Sequence, residues 1–137
     1  MVAILEMQEC AMRLVRWTLW LGGLCFVGFG LASLIDPIGL LGSAGVVLSG
    51  DVAATEVRAF YGGLELGLGA LLLAADLYGK RREGLWLVLA SYGGIALGRS
   101  IGLLIAGQGS SFLWFALATE WSLTGLAVLG LRRLGSR

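Results

Sequence analysis

The sequence predicts an all-α membrane protein: a four-helix bundle of up-down-up-down topology, with an amino-terminal interfacial helix. Three observations lead to this fold class. Of the 137 residues, 58% are hydrophobic and only 14% are charged, against about 25% charged in an ordinary soluble domain. Four apolar stretches are long enough to cross a bilayer. The basic residues lie in alternate connections between these stretches.

Four predicted spans occupy most of the chain, which we treat as one integral membrane domain over residues 1–137. A helix needs about 20 apolar residues to cross a hydrocarbon core, and Trp17 to Ile35 supplies 19 without a charge. The remaining spans include ionisable residues. We predict spans at about residues 17–35, 57–77, 85–106 and 112–131.

The segment before the first span carries its charges at regular intervals. Glu6, Glu9, Arg13 and Arg16 recur at spacings of 3, 4 and 3, which places them on one stripe of a helix. The opposite face is apolar. Residues 1–16 are therefore expected to form an interfacial helix that lies on the inner leaflet and leads into the first span.

The distribution of basic residues predicts the orientation. Eight of the ten fall on one side of the membrane: Arg13, Arg16, Lys80, Arg81, Arg82, Arg132, Arg133 and Arg137. By the positive-inside rule that side is the cytoplasm and both termini lie there. The long connection over residues 36–55 is expected to lie against the outer surface, with Asp51 or Thr55 capping the second span. A net charge of +1 argues against a nucleic-acid partner.

Charges inside the spans are costly and therefore informative. Glu65 and Glu120 each lie eight residues after the outer start of their span, and Arg99 lies seven residues before the end of its own. At 1.5 Å per residue, all three lie about 10 to 12 Å below the same surface. We expect Arg99 to contact Glu65, Glu120 or both, because an unpaired charge in hydrocarbon is unfavourable.

Small and hydroxyl-bearing residues surround these charges on the helix faces. Gly62, Gly69 and Gly102 remove side-chain volume, which either brings helices into contact or leaves room for a ligand. We predict a polar-floored pocket in the outer half of the bundle. Its residues, as a binding site or a buried polar network, are Arg58, Tyr61, Glu65, Tyr92, Arg99, Glu120 and Thr124.

The second span contains a run that resembles a family signature. Glu56-Val-Arg58-Ala-Phe-Tyr61-Gly62-Gly63-Leu-Glu65-Leu-Gly67-Leu-Gly69 is similar to the E-x-R-x-F-Y-G-G-x-E-x-G-x-G pattern of small four-helix bacterial inner-membrane proteins classified as a domain of unknown function. Asp36-Pro37, Gly98-Arg99-Ser-Ile-Gly102-Leu103 and Glu120 extend the likeness over nearly the whole chain. The resemblance implies four helices in a bacterial inner membrane and brings no established activity.

Three classes of function remain open on these residues. A binding module would hold a lipid-like or small amphiphilic ligand over the buried charges. Alternatively, the charges only hold the helices in register, in a structural or accessory subunit of a membrane complex, or they serve a proton-coupled transporter or a lipid-modifying enzyme. The chain has no His and no Cys pair at a ligand spacing, so we expect no metal and no cofactor, and little favours an enzyme. Membrane lipid is an expected partner, and a homo-oligomer or larger membrane complex is compatible with the sequence.

Overall fold

The computed structural model describes residues 2–135, and every regular element within that range is helical. Met1 and Arg137, which entered the sequence predictions, lie outside the described residues. In chain order the elements are α1 (Val2–Ile35), α2 (Pro37–Ser43), α3 (Gly50–Val57), a π-helical segment (Arg58–Leu64), α4 (Glu65–Leu77), α5 (Arg81–Ala106) and α6 (Ser111–Gly135).

Four of the helical stretches have the length and apolar composition needed to cross a membrane. They are Gln8–Ile35, Gly50–Leu77, Arg81–Ala106 and Ser111–Gly135, and each contains one of the predicted spans. The all-α fold and the four membrane-capable helices are thus confirmed. The second stretch begins seven residues earlier than predicted, because α3 continues without a break through the π-helical segment into α4.

The prediction of a separate amino-terminal interfacial helix was wrong. Residues 2–16 are not a separate interfacial helix, because α1 is one uninterrupted helix of 34 residues, about 51 Å long at 1.5 Å per residue. The charged stripe does not interrupt the helix, and the sequence before Gly22 contains neither Gly nor Pro. The chain first turns at Asp36, whose Oδ1 accepts a hydrogen bond from the Gly39 N–H at 2.9 Å and so caps α2.

The connection between α1 and the second long helix also differs from expectation. Ser49 occupies the N-cap position of α3 without a capping hydrogen bond from its side chain. Asp51 lies in the first turn of α3, where a negative charge is favourable next to the helix dipole. The Thr55 hydroxyl donates to the Asp51 carbonyl at 2.8 Å. Neither predicted cap is therefore the N-cap of this helix.

The core lies where the four long helices meet, and α1 packs against α4, α5 and α6. Its buried apolar side chains are Val15, Leu19 and Phe26 on α1, Leu72 on α4, Leu85, Val88 and Tyr92 on α5, and Leu123 and Ala127 on α6. At one end of this core, Gly130 on α6 approaches Val15 and Leu85. The outer faces expose many large apolar side chains, as expected for helices surrounded by lipid.

Candidate functional site: a cavity over a buried ion pair

A direct ion pair inside the spans joins α5 to α6. Arg99 Nε donates to both carboxylate oxygens of Glu120, at 3.0 Å each, and Arg99 Nη2 donates to Oε1 at 2.7 Å. The Arg99 side chain is 24% exposed and that of Glu120 is 8% exposed. Such a bidentate ion pair provides hydrogen bonds to both oxygens of a carboxylate that is shielded from water. Arg99 thus contacts one of the two glutamates with which we expected it to pair.

Glu65, the other glutamate, begins α4 and is half-buried. It lies close enough to Arg99 and Glu120 to interact with their charges, yet its carboxylate has no hydrogen bond to any other residue in the described range 2–135. The three charges thus divide into a satisfied pair and a lone carboxylate. With all three ionised, Arg99, Glu120 and Glu65 carry a net charge of −1.

These charged groups share one cavity of about 350 Å³. Six of its lining residues are aromatic, and Arg99, Glu65, Glu120 and Thr119 supply most of the polar atoms. The rim includes the exposed rings of Tyr61 and Phe115, so the cavity opens to the surface of the protein. The lining residues are Cys25, Phe26, Phe29, Tyr61, Glu65, Tyr92, Ile95, Arg99, Phe112, Phe115, Ala116, Thr119 and Glu120.

Hydrogen bonding and ring stacking fix the aromatic wall. The Tyr92 hydroxyl donates to the Gly22 carbonyl at 2.7 Å, which ties α5 to α1. The Tyr92 ring stacks on Phe26 with centroids 4.2 Å apart, and Phe29 meets Tyr61 edge to face at 6.1 Å. The Tyr92 hydroxyl is therefore engaged with the backbone, and its ring contributes an apolar face to the cavity.

The π-helical segment determines which residues of the second span reach the cavity. Its hydrogen bonds join residues five apart, so each turn takes more than the 3.6 residues of an α-helix. Tyr61 and Glu65, four residues apart, line the cavity together, as they would in an α-helix. Arg58, expected on the same face as Glu65 from a spacing of seven, is turned away, and its Nε donates to the Leu34 carbonyl at 3.2 Å. This is a correction to the α-helical spacing used for the prediction.

Thr124 also lies away from the cavity. Its hydroxyl donates to the Glu120 carbonyl one turn earlier at 2.8 Å, and its side chain is buried. A β-carbon on Gly93 would lie 3.5 Å from its methyl group, which places Thr124 in the α5–α6 interface. Of the seven residues proposed from sequence, five line the cavity: Tyr61, Glu65, Tyr92, Arg99 and Glu120.

Contrary to the prediction, Gly62, Gly69 and Gly102 do not provide the volume of the cavity. A β-carbon on Gly62 would lie 2.7 Å from the Leu34 side chain, and one on Gly69 would lie 2.7 Å from the Gly23 carbonyl oxygen. Both glycines allow α1 to approach the second span closely. Gly102 has open space beside it but is exposed. The cavity therefore comes from the arrangement of large aromatic side chains and not from missing ones.

Comparison with known proteins identifies a family to which this sequence is similar. A family model described as "Domain of unknown function (DUF4345)" matches residues 14–131. The chain belongs to this family. Neither a curated protein nor a solved structure matched the sequence. The part of the chain matched by DUF4345 includes all the residues that line the cavity.

A second polar cluster lies within the DUF4345 match and was not predicted from the sequence. Asp76, at the last turn of α4, is buried, and its Oδ1 accepts from Arg81 Nε at 2.6 Å. Its Oδ2 accepts from Arg16 Nε at 3.2 Å and from the Trp20 indole N–H at 2.8 Å. One carboxylate thus joins α1, α4 and α5. The available signal was a carboxylate one residue before the end of an apolar span, with arginines at the ends of two other spans.

The apolar part of the cavity was also not predicted from the sequence. Phe112, Phe115 and Thr119 lie at helical spacing on the face of α6 that carries Glu120, and Phe26 and Phe29 lie on one face of α1. The sequence shows these helical spacings. In so apolar a chain, however, the same spacing is typical of a cavity wall and of a lipid-facing surface. Within residues 2–135, no group of three or more His, Cys, Asp or Glu side chains could hold a metal ion.

Proposed function

We propose that this DUF4345 protein is a multi-pass protein of the bacterial inner membrane that binds a small amphiphile with a cationic head. In this proposal the four long helices run up-down-up-down and both termini lie in the cytoplasm. The basic residues before the first span, between the second and third, and after the fourth support that orientation. The ligand would occupy the cavity over the Arg99–Glu120 pair, with its tail directed toward lipid.

The lone carboxylate of Glu65 is the observation that carries the proposal. Arg99 and Glu120 satisfy each other, so neither needs a ligand. Glu65 has no such partner among the described residues, and a carboxylate in this setting gains most from a positively charged or hydrogen-bond-donating group. A head group that carries an amine or quaternary ammonium would neutralise it.

The walls of the cavity favour the same ligand. Aromatic rings attract cations through their faces, most effectively where water is excluded. Phe26, Phe29, Tyr61 and Tyr92 bring such rings close to Glu65, and Phe112 and Phe115 extend the apolar wall. The volume of about 350 Å³ lies at the lower end of the 300–1,000 Å³ that is usual for small-molecule sites. It would hold a head group and the first part of a chain.

Decyltrimethylammonium tests the proposal, with decanoate as the anionic control. The protein is held in dodecyl maltoside, and its melting temperature is followed as each probe is added. At ten times Kd, the ammonium probe would stabilise the folded protein by about 1.4 kcal/mol, which corresponds to about 5 °C. Decanoate should produce no comparable shift.

Two variants show whether Glu65 is responsible. Glu65→Gln should abolish the shift produced by decyltrimethylammonium. Glu56→Gln makes the same chemical change on the exposed face of α3 and should leave the shift intact. An equal shift in Glu65→Gln, or none in the parent protein, would contradict a cationic ligand at this cavity.

A purely structural or accessory role is the second candidate, favoured by the direct Arg99–Glu120 pair. Native mass spectrometry of gently extracted protein separates the two candidates. The binding proposal predicts a co-purifying amphiphile that is lost in Glu65→Gln. The structural role predicts the mass of the bare chain, or of a complex with other chains.

A further inference from the structure

A second concave surface lies along the amino-terminal half of α1 and ends at Leu24, one residue before Cys25, which lines the cavity described above. It has a volume of about 370 Å³ and is lined by Arg13, Arg16, Trp17, Trp20, Leu21 and Leu24. These residues follow one another at alternating spacings of three and one, and so form a single stripe of the helix. Two cations come first, two indole rings follow, and two leucines complete the stripe.

The arginines of this groove extend well out of the protein. The side chain of Arg13 is 76% exposed and that of Arg16 is 59% exposed. Arg13 meets Glu9 only at 3.5 Å, which is long for an ion pair and fully accessible to water. Asp76 accepts from the Nε atom of Arg16 at 3.2 Å, so the terminal nitrogens of Arg16 have no hydrogen bond to that carboxylate.

Among the residues that form ion pairs at the groove, positive charge is in excess by one. Arg13, Arg16 and Arg81 contribute three positive charges, and Glu9 and Asp76 contribute two negative ones. The surplus is on the exposed side, because the Asp76 side chain is only 2% exposed. A ligand with one negative charge would complement this surface.

We propose that this groove binds one acidic phospholipid, with the phosphate at Arg13 and Arg16 and an acyl chain along Leu21 and Leu24. Leu24 lies eight residues after Arg16, which is about 12 Å along the helix, and this separation suits a head group followed by the upper part of a chain. Trp17 is 65% exposed and occupies the level at which indoles meet lipid head groups. The bond from Trp20 to Asp76 holds the second indole in place.

The experiment uses lipid quenching of tryptophan fluorescence. In a Trp86→Phe/Trp114→Phe/Trp121→Phe background only Trp17 and Trp20 emit, and the full chain is reconstituted into phosphatidylcholine vesicles. A minor fraction of brominated phosphatidylglycerol or brominated phosphatidylcholine is then included. We expect several-fold stronger association of the brominated phosphatidylglycerol with these indoles. Equal quenching by the two lipids would overturn the proposal.

Matched single-charge variants locate the effect. Arg13→Gln should lower the preference for phosphatidylglycerol about fivefold, since one arginine near a lipid phosphate contributes about that factor. Arg13 makes only an exposed contact, so this variant should fold like the parent. Arg82→Gln removes the same charge from an exposed position outside the groove and should leave the preference unchanged. An equal loss in Arg82→Gln would show general attraction to the surface and overturn the assignment.

Inorganic phosphate distinguishes a lipid site from a phosphate site. It is added at an ionic strength matched with sodium chloride, and the preference for brominated phosphatidylglycerol is measured again. The lipid assignment predicts the same preference in both salts, because the acyl chain contributes to binding. Selective loss of the preference in phosphate would identify a site for the free anion and overturn it.

Discussion

Gly23 on α1 and Gly69 on α4 meet so closely that a β-carbon on Gly69 would lie 2.7 Å from the Gly23 carbonyl oxygen and 2.9 Å from the Val27 amide nitrogen. Both of these atoms belong to the backbone of α1, so neither can rotate away. This contact allows α1 to run along the second span at close range. It also shows that Gly69, one turn after Glu65, serves helix packing.

Gly69→Ala is therefore expected to destabilise the protein by about 1–3 kcal/mol, because the added methyl group must displace the α1 backbone. Gly67→Ala is the matched control, since Gly67 is exposed and has no atom within 4 Å of its β-carbon position. It should be neutral or slightly stabilising, as alanine is the better helix former. Thermal unfolding in one detergent measures both. Equal losses in the two variants would show that Gly69 is not a close-packing position.

Arg99→Leu should destabilise the protein by about 3–5 kcal/mol, because it leaves Glu120 buried without its partner and close to Glu65. Arg99→Leu/Glu120→Leu removes both halves of the pair and should cost much less. Replacing Glu65 as well should not add to the loss. Unfolding measurements on the three variants test this order. A double variant worse than Arg99→Leu would mean that the pair is not mutually compensating.

Asp76→Asn should cost about 3 kcal/mol, since it removes the one carboxylate that accepts from Arg16, Trp20 and Arg81. The side-chain NH2 group of the new asparagine would also face the N–H donors of Arg16, Trp20 or Arg81. Glu83→Gln neutralises an exposed carboxylate in the first turn of α5 and should change stability by less than about 0.5 kcal/mol. Unfolding of the two variants in detergent compares the buried and the exposed carboxylate. Similar values for both would remove the structural role assigned to Asp76.

The proposed orientation predicts opposite results for reporters placed at two positions. Green fluorescent protein fused after Arg137 should fluoresce, because the carboxyl terminus lies in the cytoplasm. Alkaline phosphatase inserted within residues 107–111 should be active, because that connection lies on the outer side. Exchanging the two reporters supplies the control, and both signals should then disappear. An active phosphatase at the carboxyl terminus would reverse the proposed topology.

The sequence was sufficient for the features that depend on length and depth. An uncharged stretch such as residues 17–35 has few alternatives to a membrane-crossing helix. Counting residues from the span ends placed Glu65, Arg99 and Glu120 at one level, and the same three side chains line one cavity. Each of these inferences needs only the regular rise of a helix.

Features that depend on rotation about a helix axis or on the neighbouring helix were not predictable in this way. The π-helical segment has no residue pattern that distinguishes it from an α-helix, so Arg58 was assigned to the wrong face. The role of Gly62 and Gly69 depends on which helix lies against them, and α1 was not placed in advance. The bonds of Asp76 require α1 to continue as one helix past Arg16, whereas the charged stripe suggested an interfacial segment.

The π-helical segment makes the second span two α-helical pieces that are out of phase. A helical wheel drawn through residues 50–77 is correct for one piece and misleading for the other. Deleting one residue between Val57 and Glu65 would leave a helix of 27 residues, still about 40 Å long and ample for a bilayer. Because a π-helical turn takes more residues than an α-helical one, the shortened stretch would close as a regular α-helix, and the side chains within it would change face while the flanking pieces kept nearly the same relative rotation. The number of residues in this stretch therefore determines which of its side chains share a face with Glu65, and a one-residue gap there in an alignment of related chains marks a change from π-helical to α-helical winding.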